Sequence, residues 1–159
     1  MANYKLETKD EFVVLGIGTE LTSDYRDFEG INREKQAFWT SIKQDGTLEK
    51  LKQLATNEYL FAVNEAVNNK MMYYAGVLTD EELPEATRMI QFPTGEYIVV
   101  SGEAGSTEEL SNTLAGIAFG QVLPEVEDVA YVGGPNAIVQ MGEREGRVYG
   151  EIWIPVVQK

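Results

Sequence analysis

The sequence has no cysteine and no histidine among its 159 residues. The first absence removes disulfides, thiolate nucleophiles and thiolate metal sites. The second removes Ser-His-Asp triads and the commonest zinc ligand. Any chemistry must therefore run on Asp, Glu, Tyr, Ser, Thr, Lys or Arg. No Asp-rich calcium loop is present, and no motif calls for a metal or a cofactor. No apolar run is long enough to cross a bilayer, and the opening Met1-Ala2-Asn3-Tyr4-Lys5-Leu6-Glu7 has no hydrophobic signal core. A cytoplasmic location without membrane association is the expectation. Basic residues are scarce: 13 Lys and Arg against 26 Asp and Glu give a net charge of −13. A chain this acidic repels phosphate backbones, and no basic stripe overrides that, so direct nucleic-acid binding is not expected. What is present is 43% hydrophobic and 25% charged residues, the balance of one soluble domain large enough to bury a sizeable core.

The chain is organised as two similar halves. A strand is predicted over residues 11–17, then a polar stretch from Thr22 to Gly30, then a helix with Asn32 as N-cap and Ala37, Phe38, Ile42, Leu48, Leu51 and Leu54 on its apolar stripe, broken at Asp45-Gly46. Strands follow at 59–67 and 70–78, joined by Asn68-Asn69, a pair that tolerates positive φ and marks a hairpin. The acidic segment 79–87, with Pro84, reads as a linker. The order then repeats. A strand runs over 89–100 with an interruption at Pro93-Thr94-Gly95. Ser106-Thr107-Glu108-Glu109 opens a second helix as a capping box. Leu110, Leu114, Ile117, Ala118 and Val122 form its stripe, and Pro124 ends it. A strand at 137–141 turns at Arg144-Glu145-Gly146 into the final strand. The Gly-containing stretches 102–105 and 132–134 read as loops rather than phosphate-binding turns. Glu11-Phe12-Val13-Val14 matches Glu96-Tyr97-Ile98-Val99 at an offset of 85 (96 − 11). The expected fold is α+β: duplicated β-α-β-β units with pseudo-twofold symmetry, spanning about 4–78 and 88–157 of a single 1–159 domain. Antiparallel sheet would carry helices on one face, with a cleft on the other.

The final strand carries the clearest chemical signal. With period two, Val148, Ile152, Ile154 and Val156 form one apolar face, and Tyr149, Glu151 and Trp153 form the other. A carboxylate between two large rings offers charge and π faces to a cation or a flat molecule. The bland alternative is a strand-end acid facing water or pairing with Lys5 or Arg147. A second acid, Glu65, shares a face with Phe61 and Val63; its alternative is a hairpin-end residue in solvent. Tyr73 and Tyr74 are adjacent, so only one faces the cleft, and Tyr73 shares parity with Ala75 and Val77. Trp39, beside Phe38 on the first helix, is a core or cleft-rim residue.

Three segments resemble the GyrI-like small-molecule-binding domains, the effector-binding module of many AraC-type and MerR-type regulators that also occurs alone. Met72-Tyr73-Tyr74-Ala75-Gly76-Val77 is similar to the family's aromatic-Gly-Val strand. Ile90-Gln91-Phe92-Pro93-Thr94-Gly95-Glu96-Tyr97 is similar to its Ile-Pro-x-Gly-x-Tyr segment. Glu151-Ile152-Trp153-Ile154-Pro155-Val156 is similar to its terminal strand. The stretch 114–134 departs from the usual family pattern of a Trp-containing helix end. The resemblance implies a pair of β-α-β-β units, binding of amphipathic, often cationic aromatic compounds, and a pocket acid at Glu151. It also implies hydrolysis of strained electrophiles, such as cyclopropane-bearing DNA alkylators, as a activity of some stand-alone members.

Three functions are therefore weighed. The first is a stand-alone binding protein for hydrophobic, planar, cationic or electrophilic compounds, lined by Glu151, Tyr149, Trp153, Tyr73, Glu65, Trp39 and Phe61. The second is a metal-free hydrolase in which Glu151, with Glu65, activates water and Tyr73 donates to the leaving group. The third is a protein-binding gyrase modulator, for which the acid-aromatic face is not needed.

Overall fold

The computed structural model describes residues 4–24, 26–79, 81, 88–131 and 135–158. The first half contains strands β1 (Lys5–Lys9) and β2 (Phe12–Leu21), helices α1 (Phe28–Gln44) and α2 (Thr47–Leu54), and strands β3 (Leu60–Val67) and β4 (Lys70–Leu78). The second half contains β5 (Arg88–Phe92), β6 (Gly95–Ala104), α3 (Thr107–Ile117), β7 (Val129–Tyr131), β8 (Asn136–Arg144) and β9 (Arg147–Gln158). Between α3 and β7 the chain continues as a π-helical turn, Ala118–Val122, and a short turn, Leu123–Glu125. The segment predicted as the acidic linker lies almost wholly outside the described residues, as does the stretch 132–134.

Local sequence chemistry sets most boundaries. Asn68 and Asn69 sit at φ 52° and 66°, and Glu145 and Gly146 at 53° and 79°. Two consecutive positive φ values are what a two-residue hairpin turn matching strand twist requires. Gly46, at φ 84°, separates α1 from α2. The capping box forms at α3: the Ser106 hydroxyl accepts from Glu109 N–H (3.2 Å), and the Glu109 carboxylate accepts from Gly105 N–H (3.2 Å). At α1 the expectation fails. The N-cap is Asp27, whose carboxylate accepts from Gly30 N–H (3.0 Å), and Asn32 lies inside the helix. Gly30 belongs to the first turn because a Cβ there would come 2.4 Å from Asp27 Oδ2 and 2.6 Å from Ser23 Oγ. Gly102 likewise lies within β6 rather than in a loop.

The sheet has nine strands in the order β1-β6-β9-β8-β3-β4-β2-β5, with β7 added beside β9, and every pairing is antiparallel. The order is the same from either end, with the twofold between β3 and β8. β5 begins at residue 88 where β1 begins at 5, and β6 at 95 where β2 begins at 12, an offset of 83 in both cases and equal lengths in each pair. The sequence match at 85 is two residues long, an even error that leaves every side chain on its correct face. Each unit thus opens with one strand more than expected, β-β-α-β-β, and the second half adds the three-residue β7 before its final hairpin. The extra strands are exchanged: β1 pairs with β6 of the second half, and β5 with β2 of the first.

Two apolar layers cover the two sheet faces. On one face, Trp39, Ile42, Leu110 and Leu114 of α1 and α3 pack over Ala62, Tyr73, Ala75, Ile98, Ile138, Ile152 and Ile154. On the helix-free face, Phe61, Tyr74, Phe92, Tyr97, Val99, Val139 and Trp153 form a second cluster with Phe12 against it. Three strands separate β2 from β9, so a flat sheet would place them roughly 19 Å apart. Yet the Phe12 and Trp153 ring centroids are 5.6 Å apart, and Phe12 stacks on Phe92 at 4.6 Å. The sheet therefore curls toward its bare face, and aromatic side chains fill the middle of the concavity. The expected open cleft is reduced to an opening at the margin beside Glu151; the cavity that Glu65 borders is lined mainly from the helix-covered face, by Leu21, Asn64, Met71 and Asn136.

Candidate functional site

Tyr149, Glu151 and Trp153 share the bare face, as their spacing requires. Glu151 lies in a register row with Ser101 on β6 and Val139 on β8. Its Oε1 accepts from Trp153 Nε1 (2.8 Å) and its Oε2 from the Ser101 hydroxyl (3.1 Å). It pairs with neither Lys5 nor Arg147; the latter lies 3.6 Å from Glu103. Beside it is a cleft of about 320 Å3 lined by Ser101, Glu103, Met141, Arg144, Tyr149 and Glu151. A bulge in β8 at Gln140–Gly142 shapes this opening. The Tyr149 ring lies across Gly142, where a Cβ would meet its hydroxyl at 2.9 Å. The Arg144 guanidinium sits 4.7 Å from the same ring. Trp153 is 7% exposed, with Phe61 edge-on at 5.7 Å, and the ammonium of Lys9 lies 3.9 Å from its ring centroid. Phe61 is fully buried, so it supports Trp153 rather than facing a solvent-filled space.

Glu65 also faces the bare side, at the far end of β3. Its Oε1 is 2.9 Å from Arg88 Nε and accepts from the Tyr74 hydroxyl (3.3 Å), and its Oε2 accepts from Arg88 Nη2 (3.0 Å). This two-pronged pairing is the strong geometry for a carboxylate and a guanidinium. Burial, and then the neighbouring carboxylate, push the Tyr74 hydroxyl above its ordinary pKa, with Arg88 opposing. Phe61 pairs with Val139, which pairs with Glu151. Glu65 is four residues from Phe61, so the two acids are separated by roughly 13 Å along the strands and roughly 10 Å across them. One water molecule cannot serve both.

Tyr73 and Trp39 lie on the other face. Trp39 Nε1 donates to the Tyr73 hydroxyl (2.7 Å), with both side chains buried between α1 and the sheet. Tyr74, not Tyr73, takes the place beside Glu65. Above the Trp39–Tyr73 pair is a narrow groove between α1 and α3, lined by Asn32, Lys35, Gln36, Thr107 and Ser111, with only about 30 Å3 of free space. The Lys35 ammonium is 4.8 Å from the Tyr73 ring centroid, and desolvation lowers its pKa. Glu151, Glu65 and Tyr73 therefore do not converge on one cavity.

Lys9, Ser101, Arg88 and Lys35 escaped the sequence reading, which weighed Tyr74 but carried Tyr73 forward as the site residue. Lys9 belongs to β1, where Lys5-Leu6-Glu7-Thr8-Lys9 carries one apolar residue and gives no periodic signal. The charged parity Lys5, Glu7, Lys9 was the available clue.

Among the described residues, no helix is long and apolar enough to cross a membrane. Comparison with solved structures finds the same fold in proteins of very different sequence. One is SAV2435 bound to tetraphenylphosphonium, with a TM-score of 0.78 and 14% identity, covering 98% of this chain and 94% of that one. A second is a putative bacterial transcription regulation protein from Staphylococcus aureus MU50, with a TM-score of 0.75 and 14% identity over 98% and 99%. A third is an integron cassette protein from the mobile metagenome of Vibrio cholerae, with a TM-score of 0.64 and 10% identity over 97% and 95%. No curated protein sequence matches. The family model for integron-associated effector binding proteins matches residues 5–156, nearly the whole chain. The chain belongs to that family: it is a GyrI-like effector-binding domain, a small-molecule-binding protein.

Proposed function

We propose that this single domain binds a hydrophobic organic cation at the Glu151 end of the bare face, for sequestration or sensing and without turnover. The observation that carries this reading is the pairing of a carboxylate and a ring in one seat. Trp153 Nε1 holds Glu151, and the face of the same ring already supports an ammonium at 3.9 Å. Glu151 supplies charge, Tyr149 a ring and Met141 a soft apolar contact along a cleft of about 320 Å3, and Trp153 adjoins it through its hydrogen bond to Glu151. The relative bound to tetraphenylphosphonium supports the same ligand class. Hydrolysis in which Glu151, Glu65 and Tyr73 act on one substrate is disfavoured by their separation, which supports the binding reading.

The groove between α1 and α3 is the competing location. It has only about 30 Å3 of free space, with the Lys35 ammonium already over the Tyr73 ring, so a bulky organic cation would have to part α1 from α3 to enter. The two tryptophans lie on opposite faces, so each indole N–H reports one cleft. Titration with tetraphenylphosphonium, followed by NMR, should shift the Trp153 indole signal and leave that of Trp39 in place. Glu151→Gln should weaken this ligand about tenfold or more while changing the affinity of neutral triphenylphosphine oxide little. Equal losses for both ligands would reduce Glu151 to a shaping role. A shift confined to Trp39 would move the site to the inter-helix groove.

A further inference from the structure

Lys9 stands where a ligand's charge would. Its ammonium lies 3.9 Å from the Trp153 ring centroid, and its side chain is only 18% exposed. It reaches this position from β1, a five-residue strand at the sheet edge whose ladder partner is β6. Its other contact is Glu7 on the same strand, at 3.5 Å. Glu151 lies against the same indole through the ring nitrogen. The ring thus carries an anion at its edge and a cation of the protein's own on its face.

We propose that Lys9 is an intramolecular occupant of the cation seat on Trp153, and that this occupancy selects large aromatic cations over compact ones; the inference rests on the acid–aromatic face being the ligand site. A tethered ammonium competes at an effective concentration on the order of millimolar or above. A compact ammonium ligand brings the same charge to the same ring, and it must shed its hydration to do so. It gains nothing that Lys9 does not already provide. A large aromatic cation adds apolar area that a lysine side chain lacks, beside the Phe12 ring that lies edge-on to Trp153 at 5.6 Å, so it alone can displace the tether. Displacement does not strand the lysine, because Glu7 is already within 3.5 Å of it. The edge position of β1 lets the side chain withdraw without breaking a central strand.

The test uses the full chain, tetraphenylphosphonium and tetramethylammonium, read by calorimetry and by the Trp153 indole signal. The wild-type protein should bind the first and not the second at equal concentration. Lys9→Ala opens the seat and should strengthen tetramethylammonium binding about tenfold or more, with a smaller gain for tetraphenylphosphonium, so selectivity narrows. Lys9→Gln removes the charge with less loss of volume and should change both affinities in the same direction, which keeps the test valid if the alanine variant folds poorly. Tetraphenylphosphonium binding that depends on Glu151 but is unchanged in both Lys9 variants overturns the role of Lys9 alone. Binding of neither cation by any of these proteins, or binding indifferent to Glu151→Gln, overturns the site and this inference with it.

Discussion

Tyr73 and Tyr97 differ in what their hydroxyls do. The Tyr73 hydroxyl accepts from Trp39 Nε1 deep under α1. Tyr73→Phe leaves that donor without this acceptor in a buried place, which should cost about 1–3 kcal/mol. Urea unfolding should show a lower midpoint with an unchanged slope; a changed slope would point to the unfolded ensemble instead. The Tyr97 hydroxyl donates to the Pro93 carbonyl (2.7 Å), and burial pushes its pKa from 10.0 up to about 12. The folded state therefore holds this proton more tightly than the unfolded chain. Its contribution is complete below pH 10 and is lost as pH rises from about 10 to about 12. Tyr97→Phe should flatten the fall in stability over that window, measured by melting temperature against pH. At this scale the sequence resolves parity but not facing. It groups Tyr73 with Ala75 and Val77 and leaves open which face they take, because both faces of β4 are apolar and buried. Only the positions of α1 and α3, set by distant contacts, decide it.

Elements with their own turn or cap chemistry are legible: the Asn68–Asn69 hairpin, the Ser106 capping box and the alternation of β9 all follow from residues next to one another. β1 and β7 are not, since one carries charge at three of its five positions and the other has three residues, and both exist because a neighbouring strand offers them a ladder. The start of α1 is likewise decided by a partner. Glu34, in its second turn, accepts from Thr22 N–H (2.8 Å), the Thr22 hydroxyl (2.7 Å) and Ser23 N–H (3.0 Å). These bonds, led by the Thr22 backbone donor, hold the carboxyl down at about 2, against 4.5 for an ordinary glutamate. Its stabilising effect is present above about pH 4.5 and is lost as pH falls toward 2. In Glu34→Gln the melting temperature should drop at pH 7, and the gap to the wild-type protein should close as pH approaches 2. A gap that persists at pH 2 would mean that shape, not charge, holds α1 to β2.

For the whole molecule, the repeated order of elements foretold the α+β class, but no window of sequence encodes the curl. Twist accumulates over the strands from β2 to β9, and the meeting of Phe12 with Trp153 is its sum. That is why an open acid-aromatic cleft was expected where the centre is filled and only the margins stay open. The net charge of −13 acts at this scale too. Self-repulsion opposes the compact state, and salt screens it within about 10 Å at 0.1 M. The melting temperature at pH 7 should therefore rise between low and moderate sodium chloride. A fall would mean that the attractive pairs, such as Glu65 with Arg88, outweigh the repulsion.

The exchanged edge strands bear on how such a chain can come apart and come together. Each half lends its first strand to the other, so neither half can finish its own sheet margin. Opened between Thr79 and Arg88, the polypeptide would yield two fragments that are each other's missing border, and mixing them should restore one heterodimeric sheet where either alone leaves an unpaired edge. The two halves are laced rather than stacked. A chain of half the length would have to work as a reciprocal pair to complete the same sheet.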